Sequence, residues 1–133
     1  MQLILTSKEV EKALYESLCN GLNCLQGSGL YLECKDADYD KAKAELTKFG
    51  TRTSPCFEDV LMQMLKMKLP LWFEDKVGNE KNAYLTLTKA KKHFKNPKAM
   101  KVLIDTLSPN GNSDAITAYN LLQYALFNEL LYA

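Results

Sequence analysis

Near the start of the chain apolar residues recur every three or four positions. Val10, Ala13, Leu14 and Leu18 fall on one face of a helix. Thr6 followed by Glu9 reads as a capping box, with Leu5 and Val10 as its hydrophobic staple. Asn20-Gly21 reads as a left-handed stop, so the pattern predicts a helix from Ser7 to about Cys19. After Gly27-Ser28-Gly29 the period changes to two. Leu30, Leu32 and Cys34 share one face and Tyr31, Glu33 and Lys35 the other, the pattern of a half-buried strand.

Helical spacing then returns. Asp36 to Asp40 open a second helix with an apolar stripe of Tyr39, Ala42, Leu46 and Phe49, closed by Gly50. Ser54-Pro55 predicts the start of a third, on which Phe57, Val60, Leu61 and Met64 face inward and Asp59, Gln63 and Lys66 face water, with Pro70 beyond its end. Met62 lies off that inward face and hints at a second buried side. Leu71–Glu74 and Tyr84–Leu87 flank Gly78-Asn79 and predict an antiparallel hairpin. Thr88 can cap a lysine-rich helix that Asn96-Pro97 interrupts, and a further helix runs to about Leu107.

The last helix, from Ala115 to Ala133 behind Ser113-Asp114, is apolar or tyrosine at fourteen of its nineteen positions. A helix so apolar around its circumference needs cover on more than one side, from its own domain or from another chain. Asn120, Gln123, Asn128 and Glu129 argue against a membrane span. The expected architecture is α+β: one domain over 1–133, with a small antiparallel sheet of about three strands, one hairpin included, packed against about six helices.

Composition narrows the class without naming a function. An apolar share of 47% and a charged share of 25% suit an ordinary globular domain and exclude wholesale disorder. Neither a bilayer-crossing run nor a secretory leader is visible, so a cytoplasmic protein without a membrane partner is expected. The net charge of +1 offers no global attraction to nucleic acid, but its distribution is uneven. Residues 89–101 hold six lysines and no acid: Lys89, Lys91, Lys92, Lys95, Lys98 and Lys101.

Most patterns that carry chemistry fail on inspection. Four cysteines, at 19, 24, 34 and 56, include no CxxC pair, and there is a single histidine, so no metal site is expected. Cys19, Cys24 and Cys34 read as small buried hydrophobes. Asp36-x-Asp38-x-Asp40 suggests a calcium loop, yet Lys41 and Thr47 stand where such a loop needs glycine and glutamate. Those aspartates are better read as complementing a helix N-terminus. Gly27-Ser28-Gly29 is not a nucleophile elbow, and no glycine-rich phosphate loop exists, so no cofactor is expected.

Three functional readings remain. The first is a non-enzymatic protein-interaction or assembly subunit, a homo-oligomer or part of a larger particle, with Met62, Tyr119, Leu122, Leu126 and Leu130 at the interface. The second is nucleic-acid binding through the lysines of 89–101; the chain has only Arg52 for arginine, and only Phe94 interleaves as a stacking ring. The third is a thiol enzyme. It would use Cys56 in the first turn of a helix, with His93 as the one available base.

The fragments Cys56-Phe57-Glu58-Asp59-Val60-Leu61, Leu85-Thr86-Leu87-Thr88 and Asp114-Ala115-Ile116-Thr117-Ala118 resemble small proteins of gut Bacteroidetes and of the phages that infect them. The lysine, asparagine and tyrosine content suits a low-GC source. This resemblance brings no catalytic or binding residue; it implies a phage or mobile-element accessory protein.

Overall fold

A computed structural model of the chain describes residues 6–33, 35–48, 56–75, 83–107 and 115–130. Among these residues six helices and three strands follow in the order α1 (Ser7–Gly27), β1 (Leu30–Glu33), α2 (Asp36–Lys48), α3 (Phe57–Lys66), β2 (Leu71–Asp75), β3 (Ala83–Leu85), α4 (Leu87–His93), α5 (Pro97–Leu107) and α6 (Ala115–Phe127). The fold is α+β, with one antiparallel sheet of order β1-β2-β3. The expected stop at Gly50, the helix starts at Ser54-Pro55 and Ser113-Asp114, and the turn at Gly78-Asn79 lie outside the described residues.

Helix α1 begins as its sequence dictates. The Thr6 N–H donates to the Glu9 carboxylate at 3.0 Å, and the Glu9 N–H donates to the Thr6 hydroxyl at 3.2 Å. These bonds satisfy donors that the first turn leaves without a helical partner. The helix does not stop at Gly21, however; it continues to Gly27. Glycine is present at 21 for closeness, not for a turn. A Cβ there would lie 2.6 Å from the carbonyl carbon of Ala118 and 2.7 Å from the Tyr119 nitrogen. α1 and α6 therefore cross backbone to backbone at this point. Ser28, just past α1, and Tyr119 add a hydroxyl–hydroxyl bond to the same interface.

Helix α6 occupies the middle of the molecule, against α1, α4, α5 and β3. Every residue from Leu121 to Leu126 is buried. Of the two sources of cover that the sequence left open, its own domain is the one that encloses Leu121 to Leu126. Tyr119, Leu122 and Leu126 are buried within the chain, and so is Met62. The second buried side of α3, read from Met62, is real, and it arises because α3 packs against both α1 and α2. The helix is also shorter than expected, ending at Phe127. Asn128 takes a left-handed conformation (φ 61°) and the Asn96 side chain donates to its carbonyl at 3.2 Å. Asparagine tolerates that geometry and closes the helix. Leu130 lies beyond the end, 48% exposed.

Other boundaries move for local reasons. Thr86, not Thr88, caps α4, accepting from the Lys89 N–H at 3.1 Å, so β3 ends at Leu85. Pro97 opens α5 as expected, and the Asn96 side chain accepts from the Lys98 N–H at 3.0 Å. Cys56 is the N-cap of α3, one position earlier than the first turn, and Phe57 is 44% exposed against the Tyr39 ring, not inward. Cys19 is exposed and Cys24 half-buried because the lengthened α1 turns them away from its core face; Cys34 lies outside the described residues.

Candidate functional site

Among the described residues the sheet is covered on one side only. Its strands alternate, so Leu30, Leu71, Phe73 and Leu85 face the helices and are buried. The register places Glu33 opposite Trp72, Trp72 opposite Tyr84, and Tyr31 opposite Glu74, so all five side chains share the other face. That face is open. Tyr31 is 41% exposed, Trp72 43% and Tyr84 45%, and Glu33 and Glu74 are exposed beside them.

Single exposed apolar residues need no explanation, but three aromatic rings on one small sheet face form a patch. The Trp72 and Tyr84 rings stand 5.5 Å apart, tilted by 49°. Lys89, at the start of α4, holds its ammonium 4.3 Å from the centre of the Tyr84 ring and donates to the Tyr84 carbonyl at 2.9 Å. Burial lowers the Lys89 ammonium's pKa from the usual lysine value. The face thus already accommodates a cation against an aromatic ring.

The lysines of 89–101 differ in their surroundings. Lys89 turns to the sheet, and Lys91 donates to the Ser7 hydroxyl at 3.1 Å. Lys92, Lys95, Lys98 and Lys101 are exposed along α4 and α5. Phe94, expected between them as a stacking ring, is fully buried in the core.

His93 and Cys56 make their contacts with different elements. His93 Nδ1 hydrogen bonds to the Ala125 carbonyl at 2.9 Å, on α6, whereas Cys56 faces α1. Around Cys56 the structure gathers Tyr15 and Asp59. The Tyr15 hydroxyl donates to the Asp59 carboxylate at 2.7 Å and lies 3.9 Å from the Cys56 sulfur. The other Asp59 oxygen accepts from the Cys56 N–H at 3.3 Å. Donation to Asp59 holds the Tyr15 phenol well above its ordinary pKa, with burial and the Cys56 contact adding to it. A cleft of about 510 Å³ opens beside this corner, lined by Tyr15, Leu46, Asp59 and Met62 together with Lys8, Lys12 and Lys66. Among the described residues no group of three or more His, Cys, Asp or Glu side chains is arranged to hold a metal ion, and no helix is long and apolar enough to cross a membrane.

Sequence reading divided the two faces of β1 but not those of the hairpin. Applied to Leu71-Trp72-Phe73-Glu74, the same period of two would have turned Trp72 and Glu74 outward. What no sequence pattern supplied was the register that sets Tyr31, Trp72 and Tyr84 side by side. Comparison of the chain with protein-family models, with curated proteins and with solved structures finds no match.

Proposed function

We infer that this chain is a non-enzymatic protein-interaction module that docks a basic segment of a partner protein on the open face of its sheet. The observation that carries the reading is the exposed Tyr31–Trp72–Tyr84 cluster with Glu33 and Glu74 set among its rings. Tryptophan and tyrosine supply much of the binding energy at protein interfaces. Carboxylates beside them select an arginine or lysine, which gains both the ring face and the opposite charge. Lys89 over Tyr84 is the same interaction made within the chain.

Charge also separates this occupant from the others. A second copy docking face to face would bring four carboxylates together, at a cost of several kcal/mol. A nucleic-acid backbone laid on this face would meet Glu33 and Glu74, which repel its phosphates.

Trp72 is the only tryptophan, so its fluorescence reports this face alone. Titration with a tetra-arginine peptide is expected to change Trp72 emission saturably, and less so as salt is raised. Tyr84→Ala and the Glu33→Gln/Glu74→Gln pair are each expected to weaken the response at least tenfold. A response to oligouridylate and none to tetra-arginine would overturn the reading in favour of nucleic acid. No response to either would remove the sheet face as a site.

A further inference from the structure

We propose that the cleft between α1 and α3 binds an amphiphilic monoanion of the fatty-carboxylate class, its chain against Met62, Leu46 and Tyr15 and its carboxylate among Lys8, Lys12 and Lys66. This inference is independent of the sheet face.

The cleft is built from two matching helix stripes. Lys8, Glu11, Lys12 and Tyr15 of α1 follow one another by steps of three, one and three residues, and Asp59, Met62, Gln63 and Lys66 of α3 by the same steps. Each set therefore occupies one helix face. The Tyr15–Asp59 hydrogen bond, at 2.7 Å, joins the last residue of the first stripe to the first residue of the second. Lys8 and Lys66 each lie seven residues from that bond, about 10 Å along the helix axis. Since both line one cleft, the stripes run antiparallel and bring these two lysines to the same end, away from the Tyr15–Asp59 bond. Leu46 of α2 completes the apolar part of the lining.

Size, surface and charge each narrow the occupant. A volume of about 510 Å³ falls within the range of pockets that hold small organic ligands. Met62 is buried and Tyr15 and Leu46 are half-buried, and an unbranched methionine adapts its shape to a flexible hydrocarbon chain. Lys8, Lys12 and Lys66 are exposed. Lysine lays its aliphatic stem along apolar surface and keeps its ammonium in water, which suits contact with both the chain and the head of such a ligand. Lys8 and Lys12 stand four residues apart on one helix, a like-charge pair that a bound anion relieves. The three lysines outnumber Glu11 and Asp59 by one, and the Asp59 oxygens already accept from the Tyr15 hydroxyl and the Cys56 N–H. A surplus of one charge favours a single carboxylate over a doubly charged phosphate. The apolar lining favours a hydrocarbon chain over a wholly polar anion.

The test titrates the full chain with decanoate, kept below the concentration at which it forms micelles, and follows the methionine methyl resonances by NMR. The Met62 methyl, assigned through Met62→Leu, is expected to shift saturably with one decanoate bound per chain. Decanol keeps the chain without the charge and acetate keeps the charge without the chain; each is expected to bind at least about tenfold more weakly. Lys8→Gln/Lys66→Gln, at exposed positions, is expected to weaken decanoate by about tenfold, and Glu11→Gln to tighten it by about twofold. Absence of saturable binding would overturn the proposal. So would binding that leaves Met62 unmoved and changes Trp72 emission, which would place the chain on the sheet. Equal affinity for decanol, equal affinity for acetate, or indifference to the lysine pair would each overturn it as well.

Discussion

Helix α6 and the open face of the sheet invite opposite readings, and the structure reverses both. By sequence α6 is the segment that most demands a partner; in the fold it is the most completely covered. The hairpin strands are short and unremarkable by sequence, yet they carry Trp72 and Tyr84 into solvent. The difference teaches that apolar content measures how much surface must be covered, not what covers it. A helix surrounded by four elements of its own chain satisfies the demand internally. A sheet with helices on one side only leaves its second face to whatever the alternating positions hold.

That contrast can be broken at α6 first. Leu126 is 2% exposed, so Leu126→Asp buries an unpaired carboxylate and exceeds the stability of a domain this size, about 5–15 kcal/mol. The expected result is loss of the cooperative thermal transition followed by circular dichroism. A folded, smaller particle would return α6 to the role of an interface between chains.

The α1–α6 crossing gives a graded version of the same test. Gly21→Ala drives a methyl group into backbone atoms that cannot yield, and is expected to cost about 3 kcal/mol in urea unfolding. Gly27→Ala is its control, because a Cβ there meets nothing within 4 Å. It is expected to leave stability unchanged or to raise it by about 0.5–1 kcal/mol. Equal effects at the two glycines would mean that α1 and α6 do not touch as described.

The smallest effect on stability belongs to the sheet face. Trp72→Ala removes the ring contact with Tyr84 and is expected to cost less than about 1.5 kcal/mol in the same unfolding assay, because the side chain is already half in water. A cost as large as that at Gly21 would assign Trp72 to the core and withdraw it from partner binding.

Much of the fold was legible in the chain because it is decided locally. Thr6 with Glu9, Asn96 with Pro97, and the alternation of Leu30 to Glu33 each act within a few residues, through caps, backbone restriction or strand period. The misreadings share one cause. Gly21 looks like a stop until Ala118 is seen against it, and Thr86 and Thr88 are equivalent caps until β3 pairs with β2. The candidate site was half legible: Tyr31 and Glu33 could be turned outward from sequence, but their juxtaposition with Trp72, Tyr84 and Lys89 could not.

The amino-acid sequence by itself determined the α+β class, the number and order of the elements and most of their starts, since hydrophobic period and capping chemistry operate over one or two turns. Only the tertiary structure decided that α6 is wrapped by its own chain, that Gly21 permits a backbone crossing, and that three aromatic rings share an open face. Each of these depends on contacts between residues distant in sequence, and such contacts are set by how the elements pack and pair across space.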